Sequence, residues 1–367
     1  FYAQENVILS PIQPILLERV NDSLYKTAMI ETSGKIGIGI QMFDRQDYSY
    51  SRNGVYSTKV FVNGKIISHY KFDKLIINES KKLYQVIDYK NYTQKRLKIF
   101  KLFYKSGNKL NFMNTLVDQG IFEVELGKSY QIIIEIEDFS GNKSTIEAFI
   151  EGTENKIKPV ELRGRLIKTD REYSFTLKNK ELFFPSKTFF NDVKIELFEN
   201  KDQIEIGPNL FPIANSFEIK FGFNEKDSLR SAQTFIAKKM KKSLVYLPTK
   251  LEENKLIAKV NELGVYTLAR DSVAPTVVPE NFKKNQWLSN YKSLNLKIDD
   301  DFSGIKKYRG TINGEWVLFE YEPKRKILTY DFFDKYSEKL KHNLELEVED
   351  NVGNKKIYKT TFFRKYD

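Results

Sequence analysis

The feature that most constrains this chain is an alternation of apolar and polar residues with a period of two. Its pieces recur in the same order near both ends. Ile36, Ile38, Ile40 and Met42 alternate with Gly37, Gly39 and Gln41. The same period runs through Val60 and Val62, Ile132 to Ile136, Leu294 to Ile298 and Leu344 to Val348. Successive side chains of an extended strand point to opposite faces, so this period predicts half-buried strands. Asn63-Gly64 and Asn313-Gly314 mark hairpins, because both residues tolerate the positive φ of a type I′ turn.

These pieces form an internal repeat. GIGIQMFDRQD (37–47) resembles LNLKIDDDFSGI (294–305), each an alternating strand running into an acidic turn. Gly54 then leads to Asn63, and Gly304 to Asn313, 9 residues on in both copies. IIIEIEDFSGNK (132–143) matches LELEVEDNVGNK (344–355) in pattern, and each Asp-x-x-Gly-Asn turn is followed by a final strand. From Asn63 to Asp138 is 75 residues, but from Asn313 to Asp350 only 37, so the first copy carries an insert of about 38. It falls within roughly 74–120, and LYQVIDYKNYTQKRLKIFKLFY (83–104) is its helix candidate. The middle region reads as strands in 183–200, 216–223 and 255–271, and DSVAPTVVPENF (271–282) reads as a linker. The expected fold is all-β: tandem Ig-like β-sandwich domains with a short helical insert in the first. The expected boundaries are 1–153, 154–271 and 272–367, the last repeating the first.

Composition excludes several classes. A length of 367 residues with 14% aromatics argues for packed domains, not a disordered polymer. The net charge of +11 comes from lysines interspersed with Asp and Glu. The clusters Lys238 to Lys242 and Lys324 to Lys326 are too short for a nucleic-acid patch, so no nucleic acid is expected. The absence of cysteine removes disulfides, thiolate metal sites and Cys nucleophiles. No apolar run approaches the roughly 20 residues of a transmembrane helix. FYAQENVILSP at the start reads as a strand entered mid-stream, which suggests a mature product or, by preference, the ordered part of a longer protein.

Catalytic motifs are missing. The two histidines, His69 and His342, lie 273 residues apart and read as ordinary strand and turn residues. No Gly-x-Ser-x-Gly elbow supports a Ser-His-Asp triad. Gly37-Ile38-Gly39 lies within a strand and lacks the third glycine of a nucleotide fingerprint. Asp299, Asp300 and Asp301 with Ser303, and Asp44 with Asp47, have the oxygens calcium prefers, but none forms an EF-hand loop. The favoured reading is that each Asp hydrogen-bonds its own turn, as for Asp138 and Asp350, with Gly141 and Gly353 supplying positive φ. Trp316, after a hairpin, is expected in the core. Trp287, with Tyr291 nearby, is the candidate partner contact. No catalytic, metal or cofactor-binding residue is assigned.

GKIGIGIQMFDRQD (34–47), NGVYSTKVFVNGK (53–65), FFPSKTFFNDVKIEL, GVYTLARDSVAPTVVP and the stretch 285–321 together resemble one family. They look like the region downstream of the catalytic domain in M23-family (LytM-like) zinc metallopeptidases of Bacteroidota cell envelopes. The resemblance covers nearly the whole chain. It implies an exported protein of the periplasm or outer membrane, whose zinc, if any, belongs to an upstream domain that cuts peptidoglycan cross-links. Such a zinc site needs a His-x-x-x-Asp and a His-x-His, and neither is present, so no catalytic residue carries over. The implied role is a non-catalytic accessory or docking region that contacts envelope or outer-membrane proteins. The alternatives are domains that position an active zinc endopeptidase on peptidoglycan, and a glycan-binding or adhesin module.

Overall fold

The computed structural model describes residues 8–9, 12–45, 50–74, 77–104, 110–154, 160–222, 233–335 and 338–365. The strand expected at the N-terminus falls largely on residues 1–7, and Asp47 on 46–49, both outside the described residues. The chain is an all-β series of Ig-like sandwiches with a short helical insert. The buried apolar side chains of the described residues gather into three clusters, spanning Ile30 to Ile150, Ile167 to Tyr266 and Val277 to Phe362.

The repeat read from sequence recurs in the hydrogen bonding. In the first unit, strands Lys65–Lys71, Ser57–Val62, Ser129–Glu137, Lys143–Gly152 and Leu24–Lys26 lie side by side. In the last unit, Glu315–Val317, Ile305–Ile312, Lys341–Asp350, Lys355–Phe363 and Gln286–Trp287 adopt the same order. In both, the outermost of these strands runs parallel to its neighbour while the other pairs are antiparallel. The turns agree atom for atom. Asn63 and Asn313 both have positive φ, and their side-chain oxygens accept from Gln131 N at 2.8 Å and Asn343 N at 2.9 Å. Asp138 Oδ1 accepts from Asn142 N at 2.9 Å and Asp350 Oδ1 from Asn354 N at 2.8 Å. In each the Asn side chain donates to the other carboxylate oxygen at 2.7 Å. The self-capped turn is thus what the Asp-x-x-Gly-Asn spacing encodes.

The two copies differ where the insert enters. The last unit keeps one continuous strand, Ser293–Asp299. Its counterpart in the first unit is split into Gly34–Gly37 and Gly39–Ile40, which pair with Ile121–Val124 and Phe100–Lys101 of the insert region. The helical part is shorter than the candidate 83–104. A 3-10 stretch covers Ile77–Gln85 and an α-helix Tyr89–Lys95, started by Asp88 accepting from Asn91 N and ended by Arg96 in the left-handed region. Beyond Lys98 the alternating apolar residues return to a strand, so pairing with Ile40 overrides the local helical signal. The expected linker also shrinks, because Thr276–Pro279 is a strand against Ser293–Asp299.

The middle unit packs two sheets. One holds Arg165–Ile167, Val193–Glu199, Gln203–Gly207, Gly264–Arg270, Thr234–Lys239 and Leu244–Tyr246; the other holds Tyr173–Thr176, Lys180–Phe184, Phe217–Gly222, Lys255–Val260 and Thr249–Glu252. Alternate residues Phe217, Ile219 and Phe221 are fully buried between them.

Candidate functional site

Paired residues of a sheet share a face. In the strand Lys341–Asp350, Leu344, Leu346 and Val348 point into the core, so Glu345, Glu347 and Glu349 point out. Register then places Trp316, Thr311, Glu345 and Lys359 in one outward row, and Trp287 beside Phe363 in another. Both tryptophans of the chain therefore lie on one face of the last sheet, at opposite edges. Four strand spacings separate those edges, about 19 Å. Trp287 is 57% exposed and Trp316 58%. The expected core position of Trp316 is wrong, because Val317, one residue on, takes the inward direction and is buried.

From the Trp316 row, and away from that of Trp287, a ladder of opposite charges runs along the same face. Lys359 pairs with Glu345 at 2.9 Å, Lys355 with Glu347 at 2.9 Å, and Glu349 meets Lys307 at 3.1 Å and Lys355 at 3.4 Å. The hydrogen bond from Lys307 holds the Glu349 carboxyl below its usual range, with Lys355 adding to it. Ile357 stands exposed on the same face.

Trp287 is fixed rather than loose. Its ring stacks on Phe363 at 5.3 Å. Arg364, buried, donates to the carbonyls of Leu288 (2.5 Å), Ser289 (3.1 Å) and Tyr291 (2.8 Å), and its guanidinium lies 4.2 Å over Phe332. That locks the segment after the tryptophan. Tyr291 is only partly exposed, packed on the core with its hydroxyl accepting from Gln286 Nε2 at 2.9 Å. It holds the residue before Trp287, and its ring packs on the core instead of standing beside the indole.

The histidines sit in different units. His69 Nε2 lies 3.2 Å from Ser57 Oγ, but Ser57 is buried, so a substrate carbonyl has no approach. Burial, then Lys59 and Lys71, push the His69 pKa down. His342 is buried, stacks on Phe362 at 5.0 Å, and has Asn313 Nδ2 3.2 Å from Nδ1. Both are strand residues with structural contacts.

A cavity of about 1010 Å³ lies in the first unit against the middle one, walled by Ile38, Ile132, Ile134, Phe189 and Phe211. Lys101 lines it, and burial pushes its pKa down to about 8.

The acidic turns divide in a way the sequence does not show. Asp299 pairs with Lys326 at 2.5 Å, and Asp301 is exposed. Asp300 is drawn instead to Asp271, the first residue of the expected linker, and to Asp350 of the repeated turn. One oxygen from each lies within 4.8 Å of the others. From sequence Asp350 reads as a turn cap, and Asp271 only as the start of a linker. The signal for their meeting is the seam between the middle and last units. There Asn354 donates to the Asp271 carbonyl at 3.1 Å, Gln233 donates to Asn354 at 2.5 Å, and Phe235 meets Phe302 edge-on at 5.0 Å.

Residues 164–271, most of the middle unit, match the Zu5-like domain family. No curated protein matches the chain. Among solved structures, the fibronectin(III)-like modules of Clostridium thermocellum CbhA are 8% identical, with 96% of this chain and 94% of that one covered at a TM-score of 0.20. The Bacteroides ovatus glucan-utilization protein SGBP-B, solved with a mixed-linkage heptasaccharide, is 12% identical over 100% of this chain and 71% of its own, at 0.17. A bacterial ice-binding adhesin is 9% identical over 97% and 99%, at 0.20. At these scores the likeness carries no argument about a site, and the fold assignment rests on the sheets themselves.

Proposed function

We propose that this chain is a non-catalytic accessory and docking region of an exported envelope protein resembling M23 peptidases, and that it binds through the outer face of its last sheet. The observation that carries this reading is the pair Trp287 and Trp316, each more than half exposed on one ordered face. Exposed tryptophans held by neighbouring packing are enriched where proteins meet, and the Lys–Glu ladder on the same face supplies polar, register-setting contacts. The partner in this reading is an envelope or outer-membrane protein. Zinc chemistry, if the parent protein performs it, resides in a domain upstream.

The test is co-purification of the chain from detergent-solubilised envelope of its source organism, compared with Trp287→Ala and Trp316→Ala. Both substitutions are at the surface and leave the fold intact. The reading predicts that one envelope protein is retained by the parent chain and lost, by tenfold or more, with either variant. Retention unchanged by both contradicts it. Binding to cell-wall polysaccharide that disappears with Trp287→Ala alone would favour the glycan-binding alternative.

A further inference from the structure

We infer that Asp271, Asp300 and Asp350 form a calcium site that clamps the last unit to the middle one. Each carboxylate comes from a different element. Asp271 follows the strand Gly264–Arg270, Asp300 follows Ser293–Asp299, and Asp350 ends Lys341–Asp350. Asp271 and Asp350 are 2% and 0% exposed. No ion pair to any of the three is present among the described residues, although lysines neutralise Asp299 and Glu349 next door.

A second observation is independent of the clustering. Asp300 Oδ2 is sealed from solvent and has no hydrogen-bond partner, whereas its Oδ1 accepts from Gly304 N at 2.6 Å and Phe302 N at 3.2 Å. A sealed carboxylate oxygen without a donor is costly unless a cation or a proton meets it, and the test below separates the two.

The donor set favours calcium, which takes an all-oxygen shell in flexible geometry, whereas magnesium demands a near-ideal octahedron and keeps several waters. With the three oxygens within 4.8 Å of one another, small side-chain shifts bring all of them to one calcium. Ser303 is buried beside the cluster; its N donates to Asp271 Oδ2 at 3.2 Å and its hydroxyl lies 3.5 Å from Asp300 Oδ1, near enough to add an oxygen to a shell that water completes. The repeat supplies a contrast. Asp138 makes the same turn as Asp350, yet it is only partly buried and is no member of such a cluster.

This inference does not depend on the docking reading. The test titrates calcium chloride into the chelator-treated full chain by calorimetry and follows thermal unfolding with 5 mM calcium or EDTA. Expected are one equivalent bound, with a dissociation constant of about 10⁻⁴ M or tighter, and a midpoint raised by at least about 3 °C. Asp300→Asn should weaken binding at least tenfold, while the exposed neighbour substitution Asp301→Asn leaves it unchanged. Magnesium at the same concentration should give less than half the shift. Absence of calcium heat and of a midpoint change in the parent chain overturns the inference. So does Asp300→Asn that is more stable than the parent chain in both calcium and EDTA, because the three carboxylates would then share a proton instead of an ion.

Discussion

Lys180→Met tests whether a buried cation holds the middle unit together. The Lys180 side chain is 0% exposed, and its ammonium donates to Asn179 Oδ1 (2.9 Å), Glu199 Oε1 (3.0 Å), Asn200 O (2.9 Å) and Lys201 O (3.3 Å). Met keeps the aliphatic stem, so packing changes little. What is lost is the donor set. Two backbone carbonyls lose their charged donor at about 1 kcal/mol each, and Glu199 loses its countercharge. Removing one member of a buried pair costs about 3–5 kcal/mol. Glu199 is 12% exposed and keeps a hydrogen bond from Lys178 N, so water recovers part of that. The expected cost is therefore about 3 kcal/mol. With an m-value near 1.3 kcal/mol/M for a unit of this size, the urea midpoint of the middle unit falls by about 2 M. The assay separates the units because both tryptophans lie in the last one. Far-UV circular dichroism and hydrogen exchange over 173–222 should shift, while tryptophan fluorescence moves much less. A midpoint change below about 0.5 M in the middle unit would refute the reasoning, since it would mean desolvation of the pair cancels its attraction.

Two further outcomes follow from packing and protonation. Gly310→Ala should destabilise the last unit by about 1–3 kcal/mol in urea titrations, because an added Cβ would lie 2.3 Å from the buried Phe319 ring. His342 is held below its usual pKa by burial, so the folded state resists a proton that the unfolded chain accepts. Its contribution is present above about pH 6.5 and is lost as pH falls below that, with a slope of at most about 1.4 kcal/mol per pH unit. His342→Phe should flatten the fluorescence-detected stability profile between pH 6.5 and 5.

Much of the architecture is legible in the sequence because strands and turns are written locally. Period two placed Leu344, Leu346 and Val348 inward, and Asn63-Gly64 and Asn313-Gly314 form the hairpins their φ preferences require. What was not legible depends on tertiary partners. Residues 36–42 read as one alternating strand, but the insert pairs with Gly34–Gly37 and Gly39–Ile40 in two pieces. The direction of Trp316 depends on a register of two residues after a turn, and slipping by one reverses its face. The meeting of Asp271, Asp300 and Asp350 arises from the docking of two units, and no local pattern in 271–282 announces it. Tyr291 beside Trp287 in sequence suggested a shared surface, yet the segment bends so that its ring packs on the core.

Tryptophan emission offers the most direct test of the docking claim, because the two indoles of this chain both stand on the proposed contact face. Adding solubilised envelope protein fractionated to the retained partner should blue-shift the emission and shield it from iodide, saturably and with one partner bound per chain. Emission and quenching that stay unchanged while that partner is demonstrably bound would place the contact elsewhere and contradict the account.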